Sequence, residues 1–269
     1  MPAVPDRTRS RPGRSAAPHG RGTGPVPGHI DACLFDVDGV LTSTAAVHAA
    51  AWREMFDAFL AARAPAPGED LRPFDMPADY LAHVDGRLRL DGVRTFLASR
   101  GVALPEGEAG DPPGADTVHG LGARKNARVL EIIAAGGVEA FPGSVAYLDA
   151  VAAAGLPCAV VSASRNAATV LAAAGLDGRF AARVDGVVAA ERRLAGKPAP
   201  DMFLAAAAAL DVPPGRCAVY EDAEAGVRAG RAGGFGWVVG VDREGHAEAL
   251  ARAGADVVVS DLSDLLEDR

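Results

Sequence analysis

A parallel sheet with helices packed on both of its faces is the fold that the order of elements in this 269-residue chain predicts, with a helical cap inserted after the first strand. Three observations carry that expectation. Short apolar runs of strand length recur at Ile30 to Val37 (IDACLFDV), Pro157 to Ala163 (PCAVVSA), Cys217 to Tyr220 (CAVY), Phe235 to Val241 (FGWVVGV) and Ala255 to Ser260 (ADVVVS). Alanine-rich stretches of helical length, among them Ser144 to Ala154, Asn166 to Ala174 and Pro200 to Leu210, separate several of these runs. Buried strands alternating with helices build a parallel α/β sheet of the Rossmann-like kind. The third observation is a break in the alternation between about Thr44 and Ala140, where no strand-like run occurs.

Within that break, Trp52, Met55, Phe56, Phe59 and Leu60 repeat at the spacing of a helix with one apolar face. A second helical stretch runs near Arg124 to Ala135, while residues 64–114 are rich in Pro, Gly and Asp and resist assignment. The strand–helix pattern resumes at Phe141-Pro142-Gly143, and no internal repeat is found. The expected organisation is a basic tail over 1–28, an α/β core of 29–43 and 141–269, and a helical cap of 44–140.

Composition narrows the function. Aromatic residues make up only 5% of the chain, so alanine, valine and leucine must fill its core. Five arginines and one acid give residues 1–28 a charge of +4, which leaves −12 on the remainder of a chain whose net charge is −8. The Pro- and Gly-rich tail has no apolar stretch after its arginines; it is expected to be disordered rather than a secretory signal. A body so acidic repels nucleic acid and anionic lipid, and no apolar run approaches the roughly 20 residues that span a bilayer. Cys33, Cys158 and Cys217 are scattered and cannot pair completely, which suits small buried hydrophobes in a reducing, cytoplasmic setting.

Ligands of such sheets gather at the carboxyl ends of the strands, so the polar residues that close each run are the ones of interest. Asp36-Val37-Asp38-Gly39 ends the first run. Two carboxylates one residue apart share one side of an extended chain, and Gly39 permits a tight turn that lets a substrate approach the backbone. Ser162-Ala163-Ser164-Arg165-Asn166 follows the second run. A hydroxyl and free N–H groups there make a phosphate-binding corner, or simply a helix N-cap. Lys197 lies in the Pro-stiffened Gly196-Lys197-Pro198-Ala199-Pro200 loop, as a fixed cation for phosphate or as a solvated surface lysine. Glu221-Asp222-Ala223-Glu224 follows CAVY, and acids facing other acids invite a hard cation, magnesium above all.

Taken in order, these four motifs resemble the haloacid dehalogenase superfamily of aspartyl-phosphate enzymes, from about Ile30 to the C-terminus. The resemblance implies that Asp36 attacks phosphorus and Asp38 is the general acid/base. It gives Ser162 and Lys197 the phosphoryl oxygens, and Asp36, Asp38, Glu221 and Asp222 a Mg2+ ion. Within the superfamily, the run from Asp36 to Trp52 looks most like beta-phosphoglucomutase, which has Thr, His and Trp at the positions of Thr44, His48 and Trp52. Ser162, Ala163, Ser164 and Asn166 match its phosphate-site run, Arg124-Lys125-Asn126 its lid, and Gly92-Val93-Arg94 is the nearest match to its lid arginine. Read without the resemblance, Thr44 could simply cap a helix, and His48 and Trp52 could serve packing or a site equally well.

The implied function interconverts beta-glucose 1-phosphate and glucose 6-phosphate through glucose 1,6-bisphosphate, in a monomer that acts on a small phosphorylated sugar. A sugar-phosphate phosphatase of the same subfamily would share every core residue. A receiver-like signalling domain also phosphorylates an Asp beside magnesium, but the long insertion and Asp38 argue against it.

Overall fold

The computed structural model describes residues 25–136 and 138–267. The disorder expected for the tail therefore falls almost wholly outside the described residues. Six parallel strands form one sheet in the order β3-β2-β1-β4-β5-β6. They are β1 (Ala32–Phe35), β2 (Cys158–Val161), β3 (Ala182–Val184), β4 (Cys217–Glu221), β5 (Trp237–Val241) and β6 (Val257–Val259). The chain steps outward from β1 through β2 to β3 and then returns to the other side of β1 with β4. The strand order reverses between β1 and β4, and a crevice opens at the carboxyl ends of strands at such a point.

Five of the six strands coincide with the apolar runs. The sixth, β3, carries the exposed Arg183 at its centre, so it has no apolar run to announce it. β1, β2 and β4 are buried at every position. Their alternate side chains enter two separate layers. Cys33 and Phe35 pack with Tyr147 and Tyr220, while Ala32 and Leu34 pack with Met202 and Phe203. The Phe35 and Tyr220 rings stack at 4.4 Å, and the three cysteines are free and buried, as their residue type leads one to expect.

The insertion contains α1 (Thr44–Ala62), a π-helical turn (Tyr80–Val84), α2 (Arg89–Ser99) and α3 (Val118–Ala134). It has an apolar cluster of its own, centred on Phe56, whose ring lies 5.3 Å from Trp52, 5.5 Å from Phe74 and 4.0 Å from Phe96. α3 starts earlier than the sequence predicts because the Thr117 hydroxyl accepts the Gly120 N–H at 2.9 Å and caps it. The two chain crossings between insertion and sheet run side by side, with Ser43 N–H donating to Glu139 O (2.9 Å) and Phe141 N–H to Leu41 O (3.0 Å). The remaining helices are α4 (Pro142–Ala153), α5 (Ala167–Ala173), α6 (Gly186–Arg192), α7 (Asp201–Ala209), α8 (Glu224–Ala232), α9 (Ala247–Ala253) and α10 (Asp264–Glu267). No helix among the described residues is long and apolar enough to cross a membrane.

Phe56 is fully buried at the centre of the insertion's cluster. Phe56→Ala is expected to cost about 3–5 kcal/mol of stability through lost burial and the cavity left behind, measured by urea unfolding followed through tryptophan fluorescence.

Candidate active site

The polar residues that end β1, β2 and β4 meet at the strand-order reversal. Asp36 follows β1, and its backbone N–H donates to Tyr220 O in β4 at 3.0 Å. Its Oδ2 accepts the Asp38 N–H at 2.9 Å, and its Oδ1 accepts Lys197 Nζ at 2.5 Å. Lys197 is fully enclosed, and its ammonium also donates to Val161 O at the end of β2 (3.2 Å) and to Glu221 Oε1 at the end of β4. That answers the surface-lysine alternative. Burial alone would lower the Lys197 value, but the two carboxylates beside it push it up. Burial raises Asp36 to about 6 and Glu221 to about 7, against the pull of that ammonium.

Asp38 is held from two sides. The Thr44 hydroxyl donates to its Oδ1, and Ser162 Oγ to its Oδ2 at 3.4 Å. Thr44 is therefore not a helix cap: Ser43 occupies the cap position of α1 and makes no side-chain cap bond. His48, one turn further along α1, brings its buried Nε2 to 3.5 Å from Asp38 Oδ1, a close approach without a hydrogen bond. His48 Nδ1 lies 2.6 Å from Lys125 Nζ of α3. An ammonium has only donors, so Nδ1 accepts and Nε2 carries the proton. Burial and then Lys125 hold His48 well below its ordinary value, while burial and then Arg89 lower Lys125 to about 7. The Lys125 ammonium also sits 4.9 Å from the Trp52 ring centroid, a cation–π contact.

In the phosphate-corner segment, Ser162 Oγ accepts Ser164 N–H and Ser164 Oγ accepts Asn166 N–H, each at 3.1 Å. Ala163 and Ser164 line the cleft. Asn166 does not cap α5 with its side chain, which donates instead across the divide to Asn126 Oδ1 of α3 at 2.9 Å.

Two expectations need correction. Arg94 is half-exposed and tied to Asp91 (2.6 Å) and Glu106, away from the cleft that holds Asp36 and Asp38. Gly92 likewise lies outside that cleft; a β-carbon there would stand 3.2 Å from the Trp52 ring, so its smallness serves packing. The arginine that does line the cleft is Arg89, at the first position of α2. Five residues separate it from Arg94, about 140° around the helix, so only Arg89 reaches the cleft with Asp36 and Asp38, although both arginines border a second cavity beside it. Arg89 donates to Gly122 O at 3.4 Å and has no carboxylate partner among the described residues; burial and the like charge of Arg165 lower it to about 10. The second correction concerns Gly39. Its φ of +83° gives the expected turn, but the space above it holds the Asp222 carboxylate, 1.8 Å from where a β-carbon would lie. Its bareness admits a neighbouring acid rather than a substrate.

Sequence reasoning also missed Asp85 and Tyr80, which bring the insertion's edge into the cleft. Gly86, with φ +67°, abuts Ala223, where a β-carbon would meet that side chain at 2.8 Å. Burial and then Glu221 raise Asp85 to about 7; burial, Asp85, Glu221 and Asp36 together raise Asp222 well above the carboxylate range. The Gly preceding Arg89 by three residues was the available signal, and it reads equally well as an ordinary turn.

The family model for haloacid dehalogenase-like hydrolases matches residues 30–234, and the chain belongs to that family. Within it the chain falls in the beta-phosphoglucomutase-like branch. It is 54% identical to a Mycobacterium tuberculosis protein named beta-phosphoglucomutase, over 90% of this chain and 93% of that one. The Bacillus subtilis beta-phosphoglucomutase is 33% identical, over 88% and 92%. A crystal structure of beta-phosphoglucomutase from Clostridium difficile superposes with a TM-score of 0.68 at 27% identity, over 88% and 93%.

Membership of this family implies a magnesium ion, and the donor set fits one. Asp36 and Asp222 offer hard oxygens on adjoining turns, and their raised values reflect burial and mutual repulsion that a cation relieves. No three acidic, His or Cys side chains form a ready metal cluster among the described residues. Magnesium needs none, since it takes one or two carboxylates and keeps several waters.

Asp36, Asp38, Asp85, Glu221 and Asp222 all hold protons more tightly in the fold than ordinary carboxylates do. Their contribution to stability is fully present below the unfolded values near pH 4 and is lost as pH rises through the folded ones. His48, His83 and Lys125, which burial holds low, act with the opposite sign but are outnumbered. The melting temperature of metal-free protein is therefore expected to fall between about pH 5 and pH 7.5. Saturating magnesium should raise it more at the higher pH, where protons no longer compete; thermal unfolding with chelator or magnesium at both values checks this.

Proposed function

We propose that the protein is a magnesium-dependent beta-phosphoglucomutase that interconverts beta-glucose 1-phosphate and glucose 6-phosphate through an aspartyl-phosphate enzyme and glucose 1,6-bisphosphate. The observation that carries this reading is the chain Thr44–Asp38–His48–Lys125. It joins the proposed acid/base to the hinge and to two helices of the insertion, so proton transfer depends on the insertion lying closed over the sheet. A mutase requires this, because water must be kept from its phospho-aspartate while the bisphosphate turns over.

The steps follow from the residues. Phosphorylated Asp36 gives its phosphoryl group to the 6-hydroxyl of beta-glucose 1-phosphate, and Asp38 takes the hydroxyl proton. The bisphosphate reorients, Asp36 attacks the phosphorus at position 1, and the acid form of Asp38 returns the proton to the departing oxygen. Burial raises the Asp38 value, which favours that acid form. Lys197 and Ser162 with the Ala163–Ser164 backbone hold the reacting phosphoryl oxygens. Asp36, the Asp38 carbonyl and Asp222, with Glu221 nearby, would hold the magnesium ion, which supplies positive charge to the transferred group when bound. Arg89 and Arg165 lie close enough to repel each other, and the phosphate that is not reacting suits their joint positive charge. Trp52 fixes the Lys125 side chain.

Two sets of variants test this. Asp36→Asn is expected to abolish transfer and leave no trappable aspartyl-phosphate. His48→Ala or Lys125→Ala should lower isomerisation about 10- to 1,000-fold, or about 1.4–4 kcal/mol, and lower phosphate release much less. The assay offers beta-glucose 1-phosphate with bisphosphate primer and follows both products. Free phosphate release without isomerisation by the unmutated protein would replace this reading with the phosphatase.

The arginines give a separate expectation. Arg89→Ala should raise KM for the sugar phosphate about 10- to 100-fold, worth about 1.4–2.7 kcal/mol. Arg94→Ala should leave it within about twofold, since exposed surface ion pairs contribute little. Equal effects from the two would place the second phosphate elsewhere.

A further inference from the structure

The loop between β5 and α9 contains none of the residues assigned to the chemistry, yet it touches both turns that carry them. Asp242, the first residue beyond β5, gathers four backbone N–H groups. Its Oδ1 accepts from Glu244 (3.2 Å), Gly245 (2.7 Å) and His246 (2.9 Å), and its Oδ2 from Ala247 (2.9 Å). This winds residues 242–247 into a tight cap on α9 and fixes the directions of the two side chains between.

His246 reaches one turn. Its Nε2 lies 2.9 Å from the backbone oxygen of Asp222. A carbonyl only accepts, so Nε2 donates. Its Nδ1 is buried without a hydrogen-bond partner, 3.4 Å from Asp242 Oδ1. Arg243 reaches the other turn, where Nε donates to the backbone oxygen of Gly39 at 3.3 Å. The rest of its guanidinium is fixed by Asp261 (2.5 Å), by Ser144 Oγ (3.3 Å) and by the Phe141 ring, 3.8 Å below it. Phe141 belongs to one of the two crossings between sheet and insertion. A small cleft lined by Gly39, Phe141, Asp222, Arg243 and His246 records how closely these groups meet.

We propose that His246 and Arg243 are positioning residues for the cation site, which fix the gap between its two acid-bearing turns by holding the Asp222 and Gly39 carbonyls. The inference rests on the reading that magnesium binds between Asp36, the Asp38 carbonyl and Asp222. The turns need such a tether. Asp36, Asp38, Glu221 and Asp222 repel one another when ionised, and the Asp222 carboxylate already fills the space above Gly39. Without a donor on the Asp222 carbonyl, repulsion is free to rotate that peptide and carry the carboxylate off the ion. Groups that orient metal ligands in this way typically change affinity 10- to 100-fold when removed.

Calorimetric titration of the full chain with magnesium chloride, alongside thermal unfolding in chelator, tests the proposal. His246→Ala and Arg243→Ala are expected to weaken magnesium binding about 10- to 100-fold. His246→Gln, which keeps an N–H donor at similar reach, should recover most of the loss. A role in folding alone would lower the metal-free melting temperature of His246→Ala and leave its magnesium affinity unchanged. If His246→Ala does not fold, His246→Leu takes its place, filling the same space without a donor. No magnesium binding by the unmutated protein would overturn the cation site itself. Binding by the unmutated protein together with unchanged affinity in the donor-less variant, or equal weakening in His246→Gln, would overturn this proposal alone.

Discussion

A single buried ammonium holds the site together. Lys197 Nζ contacts Asp36 after β1, the Val161 carbonyl at the end of β2 and Glu221 at the end of β4, so three adjacent strand ends converge on one positive charge. Taking three charged groups out of water is costly, and such a cluster persists only when each member is paired and its remaining hydrogen-bonding capacity is met. Here the pairing is good. Glu221 also accepts the Ala223 N–H at 3.1 Å, and the bare Gly226 beside its carboxylate leaves it room. Removing the lysine would leave two buried carboxylates facing each other. In the proposed mechanism the same charge that lets the strand ends coexist also meets the phosphoryl oxygens.

The rest of the site is arranged around an imbalance that Lys197 alone does not correct. One lysine stands among five raised carboxylates, one of which, Asp85, comes from the insertion. A cation and a phosphoryl group together restore balance, so the geometry is best satisfied when the site is loaded. On the opposite wall the imbalance is reversed. Arg89 and Arg165 repel one another and Lys125 is lowered by burial beside Arg89. The polarity of the cleft thus changes from acid-rich at the strand ends to cation-rich beside α2 and α3.

The polar contacts between insertion and sheet are few and specific. Asn126 and Asn166 join directly, Asp38 is reached by Thr44 and His48, and Gly86 abuts Ala223. Apolar packing crosses the boundary too: Ala51 of α1 and Val129 and Ile133 of α3 join the cluster that holds Phe35 and Tyr220, and Leu88 packs against the other sheet layer, while the cluster around Phe56 belongs to the insertion. The two crossings of the chain run side by side, bridged at Thr42 and Ala140.

What the sequence determined by itself was the sheet and the residues at its strand ends. Strands buried on both faces must be continuously apolar, and the Asp, Ser or Glu residues that close such runs mark the strand ends; only Ala182–Val184 escaped, because its exposed Arg183 interrupts any apolar run, whereas the opposite edge strand Val257–Val259 is apolar throughout. Asp36, Asp38, Ser162, Glu221 and Asp222 were legible for this reason, each fixed by local connectivity to the end of a strand. Lys197 was legible as a residue, but its burial between two acids was not. The insertion behaved differently. Arg94 and Arg89 are both arginines on one helix, and the choice between them depended on the rotation of α2 against the sheet, which no local pattern encodes. Asp85, Tyr80 and the His246–Asp222 contact likewise unite segments far apart in the chain. Tertiary structure decided these because they depend on how one packed body sits against another, whereas the strand ends depend only on the alternation of buried and polar residues along the chain.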